Sequence, residues 1–202
     1  MSNLSSGDHE GNEGQKPRHV RADAQRNIDA LLEAALAVFV TSGVDAPVRE
    51  IAEKAGVGVG TLYRHFPQRA DLVAAVFRHE VDACADAAPM LAAEHAPAEA
   101  LSRWMQRYAA FVATKRGLSS ALHSGNPTFE PLHDYLNQRL LPAFKTLLDA
   151  AVTAGEIRAD VDAADLLSAV ASLSWQSYGV DPDRARRMIT LLIDGLRYGM
   201  KP

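Results

Sequence analysis

A chain of 202 residues, 48% hydrophobic and 23% charged, has an ordinary globular composition and can bury roughly 70% of its unfolded surface without a metal or disulfide staple. No apolar run approaches the ~20 residues that span a bilayer, and MSNLSSGDHEGNEGQKPRHV at the start lacks the apolar stretch of a secretory signal. Cys84 is the only cysteine, so no internal disulfide forms; this fits a cytoplasmic location and a small apolar role for Cys84 on a helix. The net charge of −4 argues against indiscriminate binding to polyanions.

Taken in order, residues 1–20 are polar and rich in Gly, Ser, Asn and Glu, and read as a disordered tail that cannot offset its ordering entropy. Lys16 to Arg21 give that tail a basic end. A helix from about Asp23 to Ser42 follows, with Ile28, Leu31, Leu32, Ala35 and Phe39 on one stripe. Gly43 suits its C-cap, and Pro47 the first turn of the next helix. Ile51, Ala52 and Ala55 supply the buried side of that short helix, and Gly56 the turn after it. In the next short helix Leu62 and Phe66 anchor inward and Pro67 forbids continuation.

Further helices are expected at Arg69 to about Leu91, broken off by Pro89 and Pro97, and at about Ala98–Thr114, Phe129–Ala154, Asp162–Gln176 and Pro182–Tyr198. No alternating strand pattern of useful length occurs. The expected fold is all-α: an N-terminal three-helix helix-turn-helix domain over 21–68 after the tail of 1–20, then a larger helical domain over 69–202 for ligand binding and dimerisation.

Two short helices joined at Ala55-Gly56-Val57 form the layout in which one helix braces another that enters the major groove of DNA. Thr61, Tyr63, Arg64 and His65 fall on the outer face of the second. Arg can hold guanine with two hydrogen bonds, while Tyr and Thr hydroxyls donate to phosphates. An exposed Tyr63 between Leu62 and the Arg64-His65 pair is unusual unless something stacks or bonds there. Arg49, Lys54, Arg64 and Arg69 place positive charge at this end. From His79 to Ser102 there is no Lys or Arg, only Glu80, Asp82, Asp86, Glu94 and Glu99, an asymmetry that would orient the protein on DNA.

The words REIAEKAGV, GTLYRHFP and RADL within residues 28–77 resemble the DNA-binding domain of the TetR family of transcriptional regulators. The resemblance implies a homodimeric repressor whose recognition helices sit in successive major grooves of double-stranded operator DNA, a palindrome for a symmetric dimer, with a domain for a small-molecule effector behind them; the helix-turn-helix itself points to a DNA-binding protein rather than an enzyme. It carries Arg49 to a base edge or phosphate, opens the recognition helix with Gly58, Val59 and Gly60, and assigns Thr61, Tyr63 and His65 to phosphates and nearby bases; Arg64 is a DNA candidate from its own place on the outer face, with a solvated surface Arg as the alternative. Arg69 would take a phosphate at the start of the next helix. Many relatives carry Lys where this chain has Val59, which here could touch a thymine methyl instead.

In the remainder, Trp104, Met105, Tyr108, Phe111, Leu122 and Trp175 are bulky candidates to line an apolar effector cavity, with Gln106, His123 and Gln176 as polar groups to orient the ligand; a packed core is the alternative for each bulky residue. Leu166, Leu167, Val170 and Leu173, then Met188, Ile189, Leu192, Ile193 and Leu196, mark the last two helices as a dimer bundle or as closure of the monomer core. No HExxH, CxxC, GxSxG or phosphate-loop motif occurs, so neither metal nor cofactor is expected. The competing function is a helical small-molecule binder or enzyme without DNA binding.

Overall fold

The computed structural model of the chain describes residues 16–177 and 182–197, with the side chains at 16–24, 116, 117, 176, 177 and 182 excepted. Among the described residues the secondary structure is helical throughout: α1 (Lys16–Ser42), α2 (Val48–Lys54), α3 (Val59–His65), α4 (Arg69–Glu94), α5 (Pro97–Leu122), a 3-10 turn (Pro127–Phe129), α6 (Leu132–Thr153), α7 (Ala163–Ser177) and α8 (Pro182–Arg197). The first fifteen residues of the expected tail lie outside the described set, but Lys16 to Val20 belong to α1 rather than to a tail. A growing helix adds one hydrogen bond per residue without needing burial, and Pro17 falls in the first turn, where a missing N–H costs nothing.

The turn between α2 and α3 follows from Gly56, whose φ is +68°. Gly56 N–H donates to the Glu53 carbonyl at 3.1 Å and Val57 N–H to the Ala52 carbonyl at 2.9 Å, the pair of bonds that closes a helix through a left-handed residue. An added Cβ would meet no atom within 4 Å, so the backbone angle alone demands glycine there. Ile51, Ala52 and Leu62 are buried, and α2 packs against both α1 and α3.

Pro89 does not end α4, contrary to the sequence expectation; the helix continues to Glu94. Pro89 lies on the exposed side, while Ala85 and Ala88 are buried and Leu91 packs against the core, so packing outweighs the lost backbone bond. Helix α5 runs past Thr114 to Leu122, its last turns held by buried Leu118. Phe129 sits in the 3-10 turn, where the Asn126 side chain accepts from Thr128 N–H at 2.9 Å, and α6 begins after Pro131. Helices α4, α5 and α6 pack together at the centre, with α7 and α8 on α5.

Candidate nucleic-acid interface and ligand cavity

Leu62, 1% exposed, fixes the orientation of α3. With that side pinned inward, Tyr63 is 49% and Val59 37% exposed, and Arg49, Gly58, Gly60, Arg64 and His65 are exposed beside them. Thr61 is half-buried. The Gly58 carbonyl accepts from Thr61 N–H at 2.9 Å, which starts the helix. Apart from the buried Leu62, the residues from Gly58 to His65 thus form one outward ridge, with Thr61 half-buried in it.

Arg69 has a different setting. Its Nη1 donates to the Val44 carbonyl and its Nη2 to the Ala46 carbonyl at 2.7 Å. The guanidinium ties the first turn of α4 to the connection between α1 and α2, rather than projecting freely towards a phosphate. The same turn is closed by Asp71, whose carboxylate accepts from Gln68 N–H at 3.0 Å.

In the C-terminal part a cavity of about 460 Å³ opens between α5, α6 and α7. Its walls recur at helical spacing: Tyr108, Phe111, Val112 and Lys115 from α5, His133, Leu136 and Asn137 from α6, and Leu167, Ser168, Ala171, Ser172 and Trp175 from α7. Tyr108, Phe111 and Trp175 are the expected lining residues found there. Trp104 and Met105 are not; both are 0% exposed. Trp104 Nε1–H donates to the Cys84 carbonyl at 2.8 Å and its ring packs on Tyr108 and Phe144 with centroids 5.6 and 5.4 Å away, so it joins α4, α5 and α6 as core. Leu122 and Gln106 are half-buried outside the cavity. His123 is exposed at the end of α5 with Nδ1 2.8 Å from the Ser119 carbonyl, and the Gln176 side chain lies outside the described residues.

Sequence reasoning missed Lys115, His133, Asn137, Ser168 and Ser172. Lys115 was within reach, since it stands seven residues after Tyr108 and four after Phe111, on one helix face. Its Nζ lies 5.7 Å from the Phe77 ring centroid, and burial pulls the ammonium below its usual range. Burial also pushes the Tyr108 hydroxyl up to about 12.

Helix α6 faces the cavity on one side and α4 on the other. The Tyr135 hydroxyl is 2.7 Å from both Asp82 carboxylate oxygens. Arg139 Nε donates to Asp82 at 2.7 Å and Nη2 to Asp86 at 2.8 Å. The aromatic series Trp104, Tyr108, Phe111 and Phe77 links α5 to α4 through the cavity wall. The cavity walls on α5 and α6 thus both contact α4, whose first turn holds the α1–α2 connection through Arg69.

Residues 31–76 match the family model for bacterial regulatory proteins of the tetR family, and residues 96–198 match the model for the SbtR-like transcriptional regulator C-terminal domain. The TetR transcriptional regulator SCO0520 of Streptomyces coelicolor is 40% identical, with a TM-score of 0.73 over 84% of this chain and 97% of that one. A TetR transcription regulatory protein of Mycobacterium vanbaalenii is 36% identical, with a TM-score of 0.73 over 88% and 99%. An HTH-type transcriptional regulator of Staphylococcus aureus (strain USA300) is 38% identical over 64 residues, 31% of this chain; the match spans only 35% of that relative's length. With both family models in register on the helix-turn-helix and the helical domain behind it, the chain belongs to the TetR family of transcriptional regulators.

Proposed function

We propose that the protein is a ligand-responsive repressor that binds a palindromic operator as a homodimer and releases it when a small, largely apolar molecule fills the cavity between α5, α6 and α7. The observation that carries the reading is the outward ridge from Gly58 to His65, with Tyr63 at 49% exposure on a helix pinned by Leu62. Two such helices would enter successive major grooves, about one helical turn apart. The division of labour falls where α4 begins, after residue 68. Arg69 then serves by holding the α1–α2 connection, while Arg49, Thr61, Tyr63, Arg64 and His65 face DNA.

Dimerisation is assigned to α7 and α8. Their inner stripes, including Leu166, Val170, Ile189 and Ile193, close the monomer core, yet Leu191 is left 64% exposed on α8, which favours a second copy against that face. The switch would be a population shift: DNA fits one separation of the recognition helices and the effector another, with a coupling of about 1–3 kcal/mol. Helix α4 carries it, being bonded to the cavity wall through Asp82 and Asp86 and to the DNA-binding domain through Arg69.

Selection of duplexes from a random pool tests this. A two-fold palindrome should be enriched, bound by two protomers, with affinity falling steeply as salt rises. Sequence-independent retention, or retention of aromatic ligands with no duplex enriched, would favour the non-DNA-binding alternative.

A further inference from the structure

We propose that the effector is an organic anion, with an apolar body among Tyr108, Phe111 and Trp175 and its negative group on the Lys115 ammonium. The inference rests on the reading of this cavity as the effector site. No carboxylate lines the cavity among the described residues. Its polar lining consists of the Lys115 ammonium, the His133 ring, the Asn137 amide, the Ser168 and Ser172 hydroxyls and the Tyr108 and Trp175 polar tips. Several of these groups are already engaged: the Ser172 hydroxyl donates to the Ser168 carbonyl at 2.9 Å, and the Asn137 amide nitrogen stands 3.2 Å from His133 Nε2.

Lys115 differs from three exposed cations on α5 and α6. Arg103 on α5 and Arg139 and Lys145 on α6 sit 2.7–2.8 Å from carboxylates while largely exposed to water. Lys115 is more buried than these, and its recorded contact is the face of Phe77. A cation taken partly out of water without a counter-charge is costly. A neutral ligand would complete that desolvation and leave the charge uncompensated. A cationic ligand would add repulsion. An anion supplies charge-assisted hydrogen bonds in a low-dielectric site, where they are strongest. Because Phe77 belongs to α4, the ammonium that receives the anion stands against the helix that leads to the DNA-binding domain.

The test uses the full-length protein and two fluorescent probes with the same ring system, 8-anilinonaphthalene-1-sulfonate (anionic) and N-phenyl-1-naphthylamine (neutral). The sulfonate should bind about tenfold tighter or more. Lys115→Met should erase that preference by weakening the sulfonate about tenfold while the neutral probe, no longer desolvating a charge, binds as tightly as to the wild type or tighter, Lys115→Arg should keep it, and Arg103→Met, altering an exposed cation elsewhere on α5, should not change it. Equal binding of the two probes by the wild type overturns the anion inference and leaves the cavity reading standing. So does a sulfonate preference that survives in a folded Lys115→Met variant. Binding of neither probe overturns the cavity reading along with it.

Discussion

Arg69 on α4 and Ala46 before α2 are joined by a hydrogen bond of 2.7 Å from guanidinium to carbonyl. A second donation to Val44 makes the same side chain a clamp on the connection between the first two helices. Arg69→Ala should therefore cost about 1.5–3 kcal/mol of folding stability, the range for hydrogen bonds from charged donors, and denaturation in urea measures it. If stability is unchanged and only the salt dependence of DNA binding drops by about one phosphate contact, Arg69 is a phosphate ligand and not a clamp.

Glycines near the recognition helix should respond in opposite directions. Gly56→Ala forces a side chain into a left-handed angle and should destabilise by about 1–2 kcal/mol. Gly60 lies within α3, has no positive φ and has open space where a Cβ would stand. Gly60→Ala should stabilise the free protein by about 0.5–1 kcal/mol. Urea midpoints for the two variants that shift in the same direction would contradict this.

Stability should fall at high pH. Burial pushes the Cys84 thiol from 9.0 to about 12 and the Tyr108 hydroxyl from 10.0 to about 12. Both groups bind their protons more tightly when folded, so the unfolded chain releases them first as pH rises. Their contribution is complete below about pH 9, declines from there, and is gone above about pH 12. Cys84→Ala and Tyr108→Phe should each flatten the decline in melting temperature measured between pH 8 and 11, and the Cys84 thiol should resist thiol reagents at pH 8 until the protein unfolds.

The Asp82, Tyr135 and Arg139 cluster should matter more for signalling than for stability. Arg139 and Asp82 are 41% and 38% exposed, and such pairs contribute only about 0–1 kcal/mol. The double variant Tyr135→Phe, Arg139→Met should melt close to wild type, yet the ratio of DNA affinities with and without the anionic naphthalene probe should move towards unity. An unchanged ratio would mean that the signal reaches α4 by another contact.

Much of the helix-turn-helix half was legible because its signals are local. Gly56 is demanded by one backbone angle, Pro67 stops one helix, and Leu62 and Phe66 set which face of α3 turns outward. The cavity was less legible because it depends on how three distant helices meet. Trp104 and Met105 are bulky, but bulk suits a packed core as well as a wall; both are fully buried, and Trp104 is held by the Cys84 carbonyl and the Phe144 ring. Lys115, His133 and Asn137 are unremarkable singly and gain meaning only where α5 and α6 converge. Pro89 misled because a proline on an exposed helix face can be outweighed by the alanines packed on the other side.

The most direct test of the central claim is the affinity of Tyr63→Ala for the selected palindrome. Losing an exposed side chain that touches DNA should weaken binding about tenfold or more, equivalent to roughly 1–2 kcal/mol, while circular-dichroism melting and the dimer mass stay at wild-type values. A folded, dimeric Tyr63→Ala protein that binds the palindrome as tightly as the wild type would contradict the assignment of this ridge to DNA.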